Sequence, residues 1–274
     1  MKKKLYFTTL LVGLIFTACS SDDAPEQNPV EPVKTYYMTV DASKGDDDAA
    51  SRINRALTLS GSKLTPSWNA GEKVYVYAST AMSPFFFKGS LEAKSAGTTT
   101  QLNGALNLPT GWAGVISDYI SVYRFTLLFP RRSQPGYLDY TGQIGTLEDI
   151  AAKYDYAMAE NVEFDIVADD HIIATTKDVT FHSQQAIVKF TLKDKSDGTT
   201  LLNATSLVVS VGSDTYTITP ASATSEIYVA IPGFSTKNVT LTATVGGNTY
   251  TYEKASVTFE NGKYYEIGVK MTKQ

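Results

Sequence analysis

Short runs with apolar residues at alternate positions recur roughly every ten to fifteen residues along this chain, separated by turn-forming residues. Alternation at period two marks a strand with one buried and one wet face. The first such run is Tyr36-Tyr37-Met38-Thr39-Val40. Val74-Tyr75-Val76-Tyr77, launched by Asn69-Ala70-Gly71, is the next clear one. Further strands are expected at Ile120 to Phe129, Asp178 to Phe181, Gln185 to Leu192, Ser206 to Val211, Thr215 to Thr219, Glu226 to Ile231, Val239 to Val245, Thr249 to Glu253 and Tyr264 to Met271. Gly246-Gly247-Asn248 supplies residues that tolerate positive φ, and Asn261-Gly262 is a type I′ hairpin signal between Val257–Phe259 and Tyr264–Tyr265. In the last run Tyr265, Ile267, Val269 and Met271 share one face, and Tyr264, Glu266, Gly268 and Lys270 share the other. One dry and one largely wet face suits an antiparallel sandwich better than a parallel sheet.

A single short helix is expected. Thr146-Leu147-Glu148-Asp149 is a capping-box pattern with Asp in the Glu position, running into Ile150, Ala151, Ala152 and Tyr154. The rest reads as strand and loop, so the fold class is all-β. The junction between two domains is expected between Asp169 and Asp178. It separates a loop-rich N-terminal domain, 35–175, from a tidier C-terminal one, 176–274, close to the size of a seven-stranded sandwich.

The start of the chain has a different pattern. Lys2, Lys3 and Lys4 precede Leu5 to Ala18, which is apolar apart from three threonines, and Cys19 follows. A basic head, a short apolar stretch and a small residue before a cut form an export signal. The stretch is about 14 residues, against roughly 20 needed to span a bilayer. Residues 1–18 therefore read as a lipoprotein signal peptide, and Cys19 as the lipidated first residue of the mature chain. An ordinary secretory signal or a buried free cysteine is the alternative. Cys19 is the only cysteine, so no disulfide can form within the chain. Asp22 and Asp23 resemble the surface-export signal of Bacteroides lipoproteins. Pro25, Pro29 and Pro32, among polar residues, make 19–34 a disordered tether.

Charge and chemistry narrow the classes. Without residues 1–18 the chain keeps 21 basic and 28 acidic residues, a charge of about −7. No basic cluster survives beyond Arg131-Arg132, so nucleic acid is a poor partner. The two histidines, His171 and His182, complete no spaced metal set, and Asp46-Asp47-Asp48 lacks the alternating oxygens of a calcium loop. No Gly-x-Ser-x-Gly elbow occurs. No catalytic residue, metal or cofactor is expected, and the chain reads as a non-enzyme. The aromatics Phe85-Phe86-Phe87, Trp112, Tyr119, Tyr123, Tyr137 and Tyr140 allow two readings: core filling, or loops that bind glycan or host protein.

Four segments carry a resemblance. They are Trp68 to Tyr77; Tyr154-Asp155-Tyr156-Ala157-Met158-Ala159; Phe181-His182-Ser183-Gln184-Gln185-Ala186-Ile187-Val188-Lys189-Phe190; and Asn261-Gly262-Lys263-Tyr264-Tyr265-Glu266-Ile267. Their order and spacing resemble the fimbrillin-like proteins of Bacteroides and relatives, subunits of cell-surface fimbriae. The resemblance implies two tandem transthyretin-like β-sandwich domains, a lipid anchor in the outer membrane, and assembly with other fimbrial subunits by strand donation. It also implies that an arginine-specific protease removes the first strand, here Tyr36, Tyr37, Met38, Thr39 and Val40. Arg52 and Arg55, in a polar stretch after that strand, are the candidate cleavage sites, with ordinary surface charges as the alternative. Some members of that family remain unprocessed anchors or tip adhesins. A surface glycan-processing enzyme is the remotest alternative.

Overall fold

The computed structural model describes residues 33–45, 58–60, 63–65, 67–80, 83–109, 124–132, 135–167, 172–175 and 177–274. Cys19, Arg52, Arg55, Asp46 to Asp48, Trp112, Tyr119, Tyr123 and His171 lie outside them, as does the whole of the expected signal peptide. Residues Pro32–Gln274 form one compact unit.

The fold is all-β. The first nine-stranded sheet uses β1 (Val33–Lys44), β4 (Lys73–Thr80), β5 (Ser83–Ala93), β6 (Thr99–Pro109), β7 (Arg124–Phe129), β8 (Ala157–Val162), β9 (Phe164–Val167), β10 (Ile172–Thr175) and β11 (Val179–Ser183). A small hairpin, β2 (Thr58–Ser60) with β3 (Lys63–Thr65), stands apart from it. The sheet runs β11-β8-β7-β4-β5-β6-β1, and β11 also pairs with β1, so seven strands close into a barrel. Closure removes free edges. It is thinnest at β8 and β11, which pair only at His182↔Met158 and Ser183↔Ala157. Beyond those pairs the seam opens into a cavity of about 260 Å³ lined by residues such as Glu160, Asn161, Glu163, Lys177 and Asp178. Tyr36, Met38, Val40, Trp68, Val76, Leu91, Leu102, Leu106, Phe125, Leu127 and Phe181 fill the barrel. β5 and β6 cross closely: a Cβ at Gly104 would lie 2.1 Å from the Ser90 carbonyl oxygen, so only glycine fits there.

The second sheet has seven strands: β12 (Ala186–Asp194), β13 (Ser206–Val211), β14 (Asp214–Ile218), β15 (Glu226–Ile231), β16 (Phe234–Val245), β17 (Asn248–Phe259) and β18 (Tyr264–Lys273). It folds into two leaves, β14-β13-β16-β17 and β18-β12-β15. They are joined only where Tyr250 and Thr251 of β17 pair with Lys273 and Thr272 of β18. Val188, Phe190, Leu207, Val209, Ile227, Val229, Leu241, Val269 and Met271 meet between the leaves. This is a sandwich core built by alternation.

Several details differ from the sequence reading. Val179–Ser183 pairs with β1 and β8, so it belongs to the first sheet, and the change of sheet falls between Ser183 and Ala186 rather than between Asp169 and Asp178. The local pattern could not reveal this, because membership is decided by distant partners. Val33 and Lys34, expected in the tether, are already strand. Both sheets are mixed: β1 runs parallel to β10 and β11, and β12 runs parallel to β18. Asn261-Gly262 does not make a type I′ turn, since only Gly262 takes a positive φ, of 76°. Asn261 instead accepts the Gly233 N–H through its side chain (2.7 Å). Beside this turn β18 pairs with β12, and β17 meets β18 only at the far end, at Tyr250↔Lys273 and Thr251↔Thr272. Gly246 and Gly247 do take positive φ, 55° and 79°, and set Val245 opposite Asn248.

The helix, α1 (Leu147–Lys153), begins as the capping pattern predicts, with Thr146 Oγ1 accepting the Asp149 N–H at 3.2 Å. Asp149 does not reach back to Thr146; its carboxylate accepts the Ile144 N–H at 3.0 Å. Tyr140, Ile150, Tyr154 and Tyr156 pack against Ile187 and Ala230 on the outer face of the second sheet. Their hydroxyls are tied to backbone: Tyr140 to Gln184, Tyr154 to Thr141 and Tyr156 to Asp139 (3.0, 2.6 and 2.7 Å). Buried phenols usually find such partners. Burial pushes the pKa of the Tyr140 hydroxyl well above its ordinary value, so it stays a donor.

Candidate functional site

β1 is the chain's first described strand, and it is built into the barrel along both sides. Antiparallel to β6 it makes eleven registered pairs, from Val33↔Pro109 to Ser43↔Thr99. Its other side is shared: Tyr37 to Thr39 pair with Ile172 to Ala174 of β10, and Ala42 to Lys44 pair with Val179 to Phe181 of β11. The pleat sends Tyr36, Met38, Val40, Ala42 and Lys44 inward, all nearly inaccessible to solvent, while Tyr37 on the opposite face is 64% exposed. The alternation read from Tyr36 to Val40 is thus the alternation of the barrel interior. Removing β1 would free one edge of β6, which stays paired with β5, and one edge of β10, which stays paired with β9, and would leave β11 only its two pairs to β8. An unpaired strand row of this kind is the receptor surface of strand addition.

The inward face ends on a charge. Lys44 Nζ lies 3.0 Å from Glu72 Oε2, with side-chain exposures of 3% and 1%. The ammonium also stands 3.8 Å from the centre of the Trp68 ring and 4.6 Å from that of Phe129. Ring faces attract cations, more strongly where water is excluded. A turn positions the carboxylate: Glu72 N donates to the Asn69 carbonyl (3.2 Å), Gly71 takes a φ of 81°, and the Asn69 N–H reaches Glu72 Oε2 at 3.4 Å. Glu72 Oε1 is buried with no hydrogen-bond partner. Trp68, fully buried, stands edge-on to Phe181 at 5.2 Å between ring centres. The segment Trp68 to Glu72 is therefore the plug at one end of the barrel, and β1 supplies its cation. The sequence analysis ends the strand at Val40 and does not find this role for Lys44. Lysine in an alternating series looks like the end of the strand.

A second cluster lies on the outside of β4 and β5. The Arg131 guanidinium stands 4.8 Å from the Phe87 ring and 5.6 Å from the Tyr75 ring, and Phe87 is 46% exposed. Beneath it Tyr77 donates its hydroxyl to the Arg132 carbonyl, and burial pushes its pKa above the ordinary value. Tyr137 is exposed and Tyr140 is buried, so the expected aromatics divide between the two readings. Among the described residues no group of three or more His, Cys, Asp or Glu is placed to hold a metal ion. No helix among them is long and apolar enough to cross a membrane.

No family model and no curated protein matches the chain. Solved structures do. The chain is similar in structure to fimbrial proteins of Bacteroides and its relatives. A fimbrial protein from Bacteroides ovatus aligns over 86% of this chain at 10% identity and a TM-score of 0.41; the chain spans 50% of that protein's length. A fimbrial assembly protein from Parabacteroides distasonis aligns over 86% of this chain and 91% of its own, at 13% identity and a TM-score of 0.40. The tip fimbrial protein Mfa3 from Porphyromonas gingivalis aligns over 86% and 95%, at 10% identity and a TM-score of 0.36.

Proposed function

We propose that this chain is a structural, non-enzymatic subunit of cell-surface fimbriae that assembles by exchanging the strand in the β1 groove. One observation carries the reading. β1 fills the interior of the barrel with five consecutive inward side chains, and it continues into the rest of the barrel only through the segment after Gly45. A single cut in 46–57, at Arg52 or Arg55, converts it from a covalent strand into a bound peptide. Its departure exposes a groove with unpaired backbone on both sides, which a strand from a neighbouring subunit can fill. The barrel and the sandwich act as two tandem domains, and acylated Cys19 holds the unassembled subunit to the outer membrane. Several backbone ladders and a full inner face would make each junction stable without a disulfide.

The test is digestion of the mature protein with an arginine-specific protease, N-terminal sequencing of the product, and electrophoresis without boiling. A new terminus after Arg52 or Arg55, followed by a ladder of stable oligomers, is expected. The double variant Arg52→Ala, Arg55→Ala remains monomeric. A wild-type protein that is cut and stays monomeric overturns the polymerising role. The exposed Arg131–Phe87–Tyr75 cluster favours one second reading, a tip or anchor subunit that binds glycan or host protein through that face. Arg131→Ala would then reduce adhesion without changing assembly.

A further inference from the structure

The groove beneath β1 has an end that an all-apolar strand could not satisfy. When β1 leaves, Lys44 leaves with it and Glu72 stays. Its Oε1 has no hydrogen-bond partner even with Lys44 in place, and the Asn69 N–H at 3.4 Å is a weak contact to Oε2. The walls around it, Trp68 and Phe129, are aromatic and buried. A carboxylate held there without a cation is an uncompensated buried charge, which is strongly destabilising. Water can relieve this in the empty groove, but an incoming strand that expels the water must bring a cation of its own.

The position of that cation is fixed as firmly as its sign. The ladder with β6 sets Tyr36 opposite Leu106 and Ser43 opposite Thr99, so each inward residue has one depth in the barrel. Slipping the strand by one residue turns every inward side chain outward. Slipping it by two keeps the faces but places Ala42, or the residue after Gly45, at Glu72. Apolar pockets discriminate poorly between such registers, because methylenes of similar volume exchange at small cost. A single buried polar pair discriminates well, the best-attested use of such groups.

We infer that Glu72, Trp68 and Phe129 form a register pin. The groove takes a strand from another subunit whose inward residues run aromatic, three apolar, then lysine, with the lysine eight positions after the aromatic. The inference rests on the strand-exchange reading of β1 and specifies the partner that reading leaves open. Glu72 selects the strand and its register; the apolar pockets hold it.

The experiment uses the full mature chain, nicked in 46–57 by an arginine-specific protease, or at an introduced site, Asp47→Arg, where the native arginines resist. Its β1 then remains bound without a covalent link. Fluorescent peptides of sequence 33–45, native or carrying Lys44→Met, are exchanged into the nicked protein, and affinity is read by anisotropy. The native peptide is expected to enter, and the Lys44→Met peptide to bind about 150- to 4000-fold more weakly, the order expected when one partner of a buried ion pair is removed. Equal binding of the two peptides overturns the pin and leaves strand exchange standing. Failure of both to enter overturns strand exchange, and the pin with it. In nicked protein carrying Glu72→Leu the preference should vanish or reverse; a preserved preference for lysine overturns the role of Glu72. The peptide comparison itself needs no variant protein to fold.

Discussion

The barrel and the sandwich both need every strand they have, but they secure their weakest strands by different means. In the sandwich the edge strand β15 is sealed by a side chain. Gln143 Oε1 accepts the Ala230 N–H at 2.8 Å while its Nε2 donates to the Ala230 carbonyl at 2.8 Å, so one amide pairs with β15 as a neighbouring strand would. The Gly145 carbonyl then accepts the Tyr228 N–H at 3.0 Å. An edge covered in this way cannot recruit another chain. In the barrel the corresponding weak element is β1, secured by backbone on both sides and by a buried ion pair at its end. The ion pairs of the sandwich, Lys189–Glu226 and Lys237–Asp214, are open to solvent. One module covers an edge with a side-chain amide; the other holds its strand by backbone on both sides and a buried charge.

The largest effect should come from breaking the buried pair on one side only. Lys44→Met leaves Glu72 among rings without its cation and should cost about 3–5 kcal/mol. Lys44→Met with Glu72→Leu should recover most of it, because replacing both partners removes the desolvation cost along with the attraction. Hydrogen exchange with residue resolution separates the modules. Protection should fall along β1, β6 and β11 while β12 to β18 hold theirs. Equal loss in both would mean that the pair supports the whole unit rather than the seat of β1.

The converse experiment removes the seal. Gln143→Leu strands the Ala230 N–H and carbonyl, an effect of about 2 kcal/mol for buried groups left without partners. It also opens the β15 edge. Exchange at Ala230 should rise, and sedimentation should show self-association that wild-type protein lacks. Loss of stability without association would mean that the remaining loop still covers the edge.

How far these features could be read in advance depends on range. The inward face of β1, the Gly246-Gly247 turn and the Thr146 cap are local: alternation, positive φ and a hydroxyl three residues before an N–H are visible in a few consecutive residues. β6 was missed although Leu102, Gly104, Leu106 and Leu108 alternate, because its threonines, asparagines and one glycine mask the period. β8, Ala157–Val162, has only one of the β-branched residues that advertise a strand, Val162. The seals were the least legible. Lys44 and Gln143 are polar residues that look like loop, and their partners lie 28 and 87 residues away. Burial makes them important, and burial is a property of the assembled fold.

The smallest test concerns a loop that titrates. After β12 the Asp197 carboxylate accepts N–H bonds from Thr199 and Thr200, both at 2.9 Å, and the Thr200 hydroxyl, and these bonds lower its pKa from 3.8 to about 2. The sign follows from linkage: a carboxyl more acidic folded than unfolded adds stability that is complete above the unfolded value, near pH 4, and is lost as pH falls through about 2. Asp197 is fully exposed, so the effect stays local. Protection of the Thr199 and Thr200 amides, measured by NMR across that window and corrected for intrinsic exchange, should fall on acidification and stay unchanged in Asp197→Asn. A loss of protection that persists in Asp197→Asn would mean that something other than this carboxylate opens the loop.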